Sequence, residues 1–195
     1  IGCTDACLNE AGNPVFMPQK TLGRVNRTHL LFKEEAKFIA MITREIRNHE
    51  ILCKKYDLKP VIRLNTTSDV MFERKKFSFM QNFPNVQFYD YTKHFNRVMK
   101  SLKGQLPDNY NLTFSRNEKN DFQATQVLKA GGNVAVVFRK ELPETYKGFK
   151  VINGDLHDLR FLDQKNVVVG LKEKLTLNKA GKLDRDTSGF VVDLK

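Results

Sequence analysis

The sequence is poor in cysteine, with 3 in 195 residues, and this scarcity limits the class of protein. The odd number, Cys3, Cys7 and Cys53, does not form a disulfide framework. The first residues are polar and show no secretory signal. Together with the many lysines, these features predict a protein of a reducing compartment, the cytoplasm of a host cell.

Long hydrophobic runs are absent as well. No apolar stretch approaches the ~20 residues needed to cross a bilayer, so we expect no membrane partner. Acidic residues are the minority: 33 lysines and arginines stand against 22 aspartates and glutamates, for a formal net charge of +11. This balance favours an anionic partner, nucleic acid first. The basic residues form no terminal tail, so a surface for nucleic acid has to be assembled by the fold.

No internal repeat, low-complexity tract or linker divides the chain. Its length is enough for one domain with a real core, so we predict a single α/β domain over 1–195. Within it, we expect an irregular cysteine-bearing segment at 1–31 and a terminal loop or hairpin at 172–195. Short apolar runs predict six strands, at 61–64, 86–89, 110–114, 134–138, 149–152 and 167–170.

Helical patterns precede the first strand and separate the first four. Ile39, Ile42 and Ile46 recur every three or four residues in the clearest of them. The predicted helices span 32–57, 66–80, 94–104 and 118–132. The last is expected to place Phe122, Val127 and Leu128 on its apolar side. Alternation of strands and helices predicts a mainly parallel six-stranded sheet, either a partial (β/α) barrel or an open doubly wound sheet.

Polar side chains follow every predicted strand. In parallel α/β folds, ligands bind at the carboxyl ends of the strands, an edge that we call the rim. The rim residues with catalytic chemistry are Asp69, Asp90, Tyr91, Lys93, Asp155 and Asp158. The rim residues suited to holding a ligand are Arg63, Asn65, Ser68, Ser115, Arg116, Arg160 and Lys172.

Three chemistries fit this rim. The four aspartates are Mg²⁺ ligands in type, although no DxD spacing supports them. Tyr89 or Tyr91 is a possible nucleophile toward a DNA phosphate, with Lys93 or Arg116 stabilising charge. A paired-histidine motif typical of rolling-circle nickases is absent, because the four histidines are scattered. The third reading is binding of a nucleotide or nucleic acid without chemistry.

Two cysteines near the start form a separate candidate. Thiolates at the spacing of Cys3 and Cys7 can share a metal ion or an iron–sulfur cluster, and either needs further ligands. Cys53 lies in a predicted helix and is expected to be a small buried hydrophobe.

Several blocks taken together resemble the gene-product-88 family, proteins of phages, plasmids and other mobile elements. They are "CTDACLNEAG", "RVNRTHLLF", "VIRLNTTSDV", "FPNVQFYDYTK", "NYNLTFSR", "NVAVVF", "VINGDLHDLRFLD", "VVVGL" and "SGFVVDL". The resemblance implies a cut-down (β/α) barrel. It also implies a cysteine cluster similar to that of radical S-adenosylmethionine enzymes, in which Cys3 and Cys7 match the last two positions and the first has no counterpart here. The matched blocks contain most rim residues without giving any of them a role.

Three functions follow as hypotheses. One is an enzyme of a phage or mobile element acting on a nucleotide or nucleic acid, with either Mg²⁺ or an iron–sulfur cluster and S-adenosylmethionine as cofactor. Another is a nucleic-acid-binding protein without catalysis, whose affinity falls steeply with salt. A structural phage protein with a merely solvated rim is a third. The sequence leaves the oligomeric state open.

Overall fold

A computed structural model describes residues 18–74, 80–177 and 183–194. Its α-helices are α1 Pro18–Lys33, α2 Glu35–Lys55, α3 Phe95–Leu102 and α4 Asp121–Lys129. Its strands are β1 Val61–Ile62, β2 Gln87–Thr92, β3 Tyr110–Ser115, β4 Val134–Phe138, β5 Thr145–Tyr146, β6 Phe149–Asn153, β7 Val168–Lys172, β8 Thr176–Leu177, β9 Leu183–Asp184 and β10 Val191–Val192. A short 3₁₀ turn spans Arg160–Leu162. None of the described helices is long and apolar enough to span a membrane.

The strands form one open, mainly parallel sheet, as predicted. Its order is β1-β2-β3-β4-β7-β6-β5, and only the β5–β6 hairpin within it is antiparallel. The β10 strand pairs in parallel with the carboxyl half of β4, beyond the point where β3 stops pairing with it. A separate antiparallel pair, β8–β9, lies within 172–195, where a loop or hairpin was predicted. The chain is therefore an open sheet and not a closed barrel.

Alternation along β2 defines two unlike faces. Phe88, Asp90 and Thr92 point to one side and Tyr89 and Tyr91 to the other, because successive strand residues alternate. The first side packs against the α-helices and is called the helix face. The second side carries no α-helix among the described residues and is called the helix-free face.

The core lies on the helix face. Its strand residues include Phe88, Leu112, Phe114, Val134, Val136 and Phe138. They pack against buried residues of the helices, among them Ile46 of α2, Val98 of α3, and Ala124, Val127 and Leu128 of α4. Valine and phenylalanine dominate these strands, as expected where a parallel sheet is covered.

The connection between β6 and β7 lies on the opposite side. The β2-β3-β4 crossovers step across the sheet in one direction, whereas β6 to β7 steps back in the other. Right-handed crossovers therefore fall on opposite faces. Accordingly, Phe161 in this connection packs its ring 5.7 Å from that of Tyr89 on the helix-free face. We call residues 154–167 the crossover segment.

Three predictions of local structure were wrong. Part of the segment expected to be irregular, 18–31, is helical, because α1 continues the pattern of α2 toward the N-terminus. The described part of 66–80 forms turns instead of a helix, because the Asn65 side chain binds the N–H and carbonyl of Val70 and Asp69 accepts a hydrogen bond from Thr92 of β2. Phe122 is 73% exposed. It lies in the first turn of α4, outside the apolar stripe of Val127 and Leu128.

Candidate ligand-binding site at the rim

Four side chains meet where β1 and β2 end on the helix-free face, and we call them the Arg63 site. Asp158 of the crossover segment accepts hydrogen bonds from Arg63 Nη1 at 2.6 Å and from the hydroxyls of Tyr89 and Tyr91, both at 3.2 Å. The Arg63 guanidinium also stacks 4.6 Å from the centre of the Tyr91 ring. The carboxylate is thus held by one cation and two phenols, and its side chain is still 52% exposed.

The phenols of this site stay protonated. Burial raises the pKa of Tyr89, and the nearby Asp158 carboxylate raises it further. Burial and the same carboxylate also raise the pKa of Tyr91, while Arg160 and Arg63 oppose the shift. Each hydroxyl donates its proton to Asp158 and is further from ionising than an ordinary tyrosine. The site therefore offers neutral rings and hydroxyls, and no activated phenolate.

A buried polar network lies behind the site, on the helix face. Asp90 accepts hydrogen bonds from the Asn65 backbone N–H at 2.7 Å, from Asn65 Nδ2 at 3.0 Å and from the Tyr110 hydroxyl at 2.8 Å. Burial raises the pKa of Asp90 to about 6, although these hydrogen bonds pull it down. Asn65 Oδ1 in turn accepts from Ser68 Oγ at 2.7 Å and from the Val70 N–H at 2.9 Å. This half of the network fixes the loop that follows β1.

Arg97 of α3 closes the other half. It donates to Asp69 at 2.6 Å, to both oxygens of Glu73 at 2.8 Å, and to the Tyr110 hydroxyl through a short contact. Asp69 also accepts from the Lys93 backbone N–H at 2.8 Å. A buried cation is stable only with such partners, since an unpaired one carries a large desolvation penalty. These groups hold the rim together and face away from the Arg63 site.

The crossover segment is anchored by a second buried arginine. The Arg160 side chain is 0% exposed, its Nη2 donates to the His157 carbonyl, and its Nε lies 3.4 Å from Asp163 Oδ2. Among the described residues, no partner forms a hydrogen bond to Arg160 Nε or Nη1, or to the buried Thr113 Oγ1. Gly154 leaves the space that Arg160 fills, because a Cβ there would lie 2.9 Å from Nη1 and 2.5 Å from Val169 Cγ1.

The far end of the rim fastens the C-terminal part of the chain. Arg116 donates to the carbonyls of Gly189 and Phe190 at 2.7 and 2.8 Å, just before β10. Asp155 accepts from the Lys172 backbone N–H at 2.8 Å and so joins the ends of β6 and β7. These contacts hold parts of the protein together, and the residues that make them lie away from the Arg63 site.

Metal ligands do not converge in the described ranges. Across 18–74, 80–177 and 183–194, no three His, Cys, Asp or Glu side chains are grouped to hold a metal ion. The Mg²⁺ hypothesis for Asp69, Asp90, Asp155 and Asp158 thus finds no ligand set there. Cys3 and Cys7, the iron–sulfur candidates, lie outside the described residues. Cys53 is buried, as predicted, 3.5 Å from His49 Nε2.

Comparison with known proteins gives the family. A sequence model described as Gene product 88 matches residues 1–194. The chain belongs to the Gene product 88 family. No curated protein and no solved structure matches it. The resemblance seen in the sequence blocks is thereby confirmed. The family match gives no function, so the function has to be inferred from the geometry of the site.

The rim of this Gene product 88 protein thus separates into groups that strand order alone did not distinguish. Of the predicted residues, Arg63, Tyr91 and Asp158 meet, and Tyr89 joins them. The others belong to the buried network (Asn65, Ser68, Asp69, Asp90 and the Lys93 backbone), to the far end (Ser115, Arg116, Asp155, Lys172) or to the crossover anchor (Arg160). Arg97 and Tyr110 were missed. One signal in the sequence could have found them, since both are polar side chains within predicted apolar elements. Arg97 lies next to Val98, and Tyr110 lies at the start of a strand.

Proposed function

We propose that this protein of a phage or mobile element binds nucleic acid at the Arg63 site, with Tyr91 and Arg63 contacting a nucleotide. The observation that carries the proposal is the stacked Arg63–Tyr91 pair on a sheet face that no described α-helix covers. Flat aromatic and guanidinium surfaces are what proteins offer to unstacked bases. The formal net charge of +11 supports a polyanionic partner over a neutral one.

Binding is a better reading of the site than nucleophilic attack. An attacking tyrosine needs a lowered pKa or a neighbouring base free to take its proton. Both phenols here have raised pKa values, and their common acceptor Asp158 is already paired with Arg63. One of the two suggested helpers, Arg116, is occupied elsewhere, since it binds the carbonyls before β10. The site therefore supports recognition of the ligand, and the proposal includes no bond cleavage.

The proposal is tested by anisotropy titrations of a fluorescent single-stranded oligonucleotide with wild-type protein and two alanine variants. Stacking on an aromatic side chain is worth about 1–3 kcal/mol per base, so Tyr91→Ala is expected to weaken binding by about 5- to 150-fold. Tyr91→Phe keeps the ring and is expected to bind within about three-fold of wild type. Tyr56→Ala is the matched control, because Tyr56 is exposed at the far end of α2.

Two outcomes would contradict the proposal. If Tyr91→Ala and Tyr56→Ala bind alike, with both folded by circular dichroism, the Arg63 site is not where nucleic acid binds. If Tyr91→Phe loses as much as Tyr91→Ala, the hydroxyl and not the ring is required, and a stacking site is excluded.

A further inference from the structure

The Asp158 carboxylate occupies a cluster of hydrogen-bond donors that the sheet supplies. Arg63 Nη1 and the Tyr89 hydroxyl donate to its Oδ2 at 2.6 and 3.2 Å, and the Tyr91 hydroxyl donates to its Oδ1 at 3.2 Å. We call these three side chains the donor cluster. They belong to β2 and to the residue that follows β1, whereas the carboxylate belongs to the crossover segment. The donors and the anion that they bind are therefore carried by different parts of the fold.

The donors are held in position by contacts that do not involve Asp158. Arg63 Nε donates to the Asn65 carbonyl at 3.0 Å, and the guanidinium stacks 4.6 Å from the centre of the Tyr91 ring. Tyr89 packs its ring against Phe161, with centres 5.7 Å apart. The β2 strand that carries both tyrosines lies between β1 and β3 in the sheet. Donors fixed in this way form a preorganised site for an anion.

The carboxylate leaves this site by rotation of its side chain alone. The Asp158 side chain is 52% exposed, whereas that of Arg63 is 20% exposed. The backbone is held, because the Asp158 carbonyl accepts from the Arg160 N–H at 2.9 Å and the Arg160 side chain is 0% exposed. A rotated carboxylate therefore enters water while the crossover segment stays in place. Ion pairs with an exposed partner contribute little, so a competing anion has little to overcome.

A phosphodiester matches the group that it would displace. Like a carboxylate, it presents two oxygens that share one negative charge, and arginine pairs with both groups in the same geometry. Arg63 also needs an anion, because an unpaired and largely buried charge carries a desolvation penalty. A second cation is near, since burial and Asp158 raise the pKa of Tyr91 and Arg160 opposes that rise. Arg160 Nε lies 3.4 Å from Asp163 Oδ2 without a hydrogen bond.

We infer that a phosphate group of the bound nucleic acid takes the place of the Asp158 carboxylate on the donor cluster. Asp158 is then a competitor that occupies these donors in the free protein. The inference rests on the proposed function and adds the position of the nucleic-acid backbone beside the stacked base. It also agrees with the small effect expected of Tyr91→Phe, because the lost hydroxyl would donate to Asp158 in the free protein and to phosphate in the complex.

Anisotropy titrations of the fluorescent single-stranded oligonucleotide with Asp158→Asn test the competition. This variant is expected to bind about five-fold more tightly than wild type, the factor that corresponds to about 1 kcal/mol for an exposed ion pair. Asp158→Ala leaves no acceptor and is expected to gain at least as much. The matched control is Asp193→Asn, because Asp193 is 58% exposed and pairs with Arg139 at 2.8 Å. It removes the same charge three strands away, roughly 14 Å, and is expected to bind like wild type.

A second measurement identifies the anion. Inorganic phosphate is added to each protein at an ionic strength held constant with chloride, and the width of its phosphorus resonance is recorded. Asp158→Asn is expected to broaden the resonance more than wild type, because the phosphate ion then has no competitor for the donor cluster. Asp193→Asn is expected to give the wild-type width.

The results that would overturn the inference are distinct from those that would overturn the proposed function. If Asp158→Asn binds the oligonucleotide no more tightly than wild type while Tyr91→Ala still weakens binding, the carboxylate is not a competitor and the proposed function stands. Equal gains in Asp158→Asn and Asp193→Asn would reduce the effect to net charge, and equal phosphate broadening would exclude phosphate from the donor cluster. Phosphate broadening without oligonucleotide binding by wild type would assign the cluster to free phosphate and overturn both.

Discussion

The two faces of the sheet are built from the same strands and are opposite in chemistry. On the helix face, Phe88 and Phe114 are fully buried, and the polar Asp90 is surrounded by three donors. On the helix-free face, Tyr91 is half-buried beside a carboxylate that is 52% exposed. The helix face has its hydrogen bonds satisfied internally and stabilises the fold. The helix-free face leaves flat rings and charges near solvent, where a ligand can reach them.

The largest expected difference between the faces is in stability. Phe114→Ala should lower the free energy of unfolding by about 3–5 kcal/mol, because the vacated volume lies in a closed core. Tyr91→Ala should lower it by less than half as much, since solvent can fill the space. Urea midpoints of the two variants measure this. Equal losses would show that the helix-free face is as tightly packed as the core.

The second difference between the faces is the pH dependence of stability, which the buried Asp90 carboxyl produces. The folded pKa of Asp90, about 6, lies above its ordinary value of 3.8. The stability from this group is therefore present below about pH 4 and is lost as the pH rises through about 6. The loss amounts to about 3 kcal/mol. Asp121 and Asp186 have lowered pKa values, so their contribution is already complete over this window.

Free energies of unfolding measured at intervals from pH 4 to 7 test the effect. Asp90→Asn should show a flatter profile than wild type, because an amide in place of the carboxyl does not titrate in this range. Burial also raises the pKa of Asp163, which leaves a smaller slope of the same sign. An equal slope in Asp90→Asn and wild type would mean that Asp90 does not titrate in this range.

Sequence patterns predicted the sheet well and the site only in part. Apolar runs such as 134–138 predict a strand because burial on both sides demands continuous valine and phenylalanine. The placing of Asp158 against Arg63 joins residues 95 positions apart, and it depends on which face the crossover segment takes. That face follows from the order of β6 and β7, which strand patterns do not contain. Asp90 and Tyr91 are neighbours with opposite surroundings, because β2 continues to Thr92, past the predicted end at 89, and successive strand residues alternate between the faces.

A smaller effect is expected at the anchor of the crossover segment. In Gly154→Ala, the new methyl group would crowd Val169 and Arg160 at 2.5 and 2.9 Å. Such overpacking costs about 1–3 kcal/mol. Gly23→Ala is the control, since its Cβ would have an ordinary 3.5 Å contact with Arg27 within a helix. Thermal melts should show a lower Tm for Gly154→Ala and an unchanged or slightly higher Tm for Gly23→Ala, because alanine favours a helix over glycine. Two unchanged values would show that the segment shifts freely over the sheet.

The smallest effect isolates the Arg63 site itself. Asp158→Asn removes an ion pair whose acidic partner is largely exposed, so its stability loss should be no more than about 1 kcal/mol. The pKa values of Tyr89 and Tyr91 should fall toward 10, because the carboxylate that raises both is gone. Absorbance at the phenolate band sums all 5 tyrosines, so the difference between the pH titrations of Asp158→Asn and wild type is the measure of this change. Glu173→Gln is the control, since Glu173 pairs with Arg139 at the far end of the rim. An unchanged tyrosine titration in Asp158→Asn would mean that burial alone sets both values, and that the carboxylate does not organise the site.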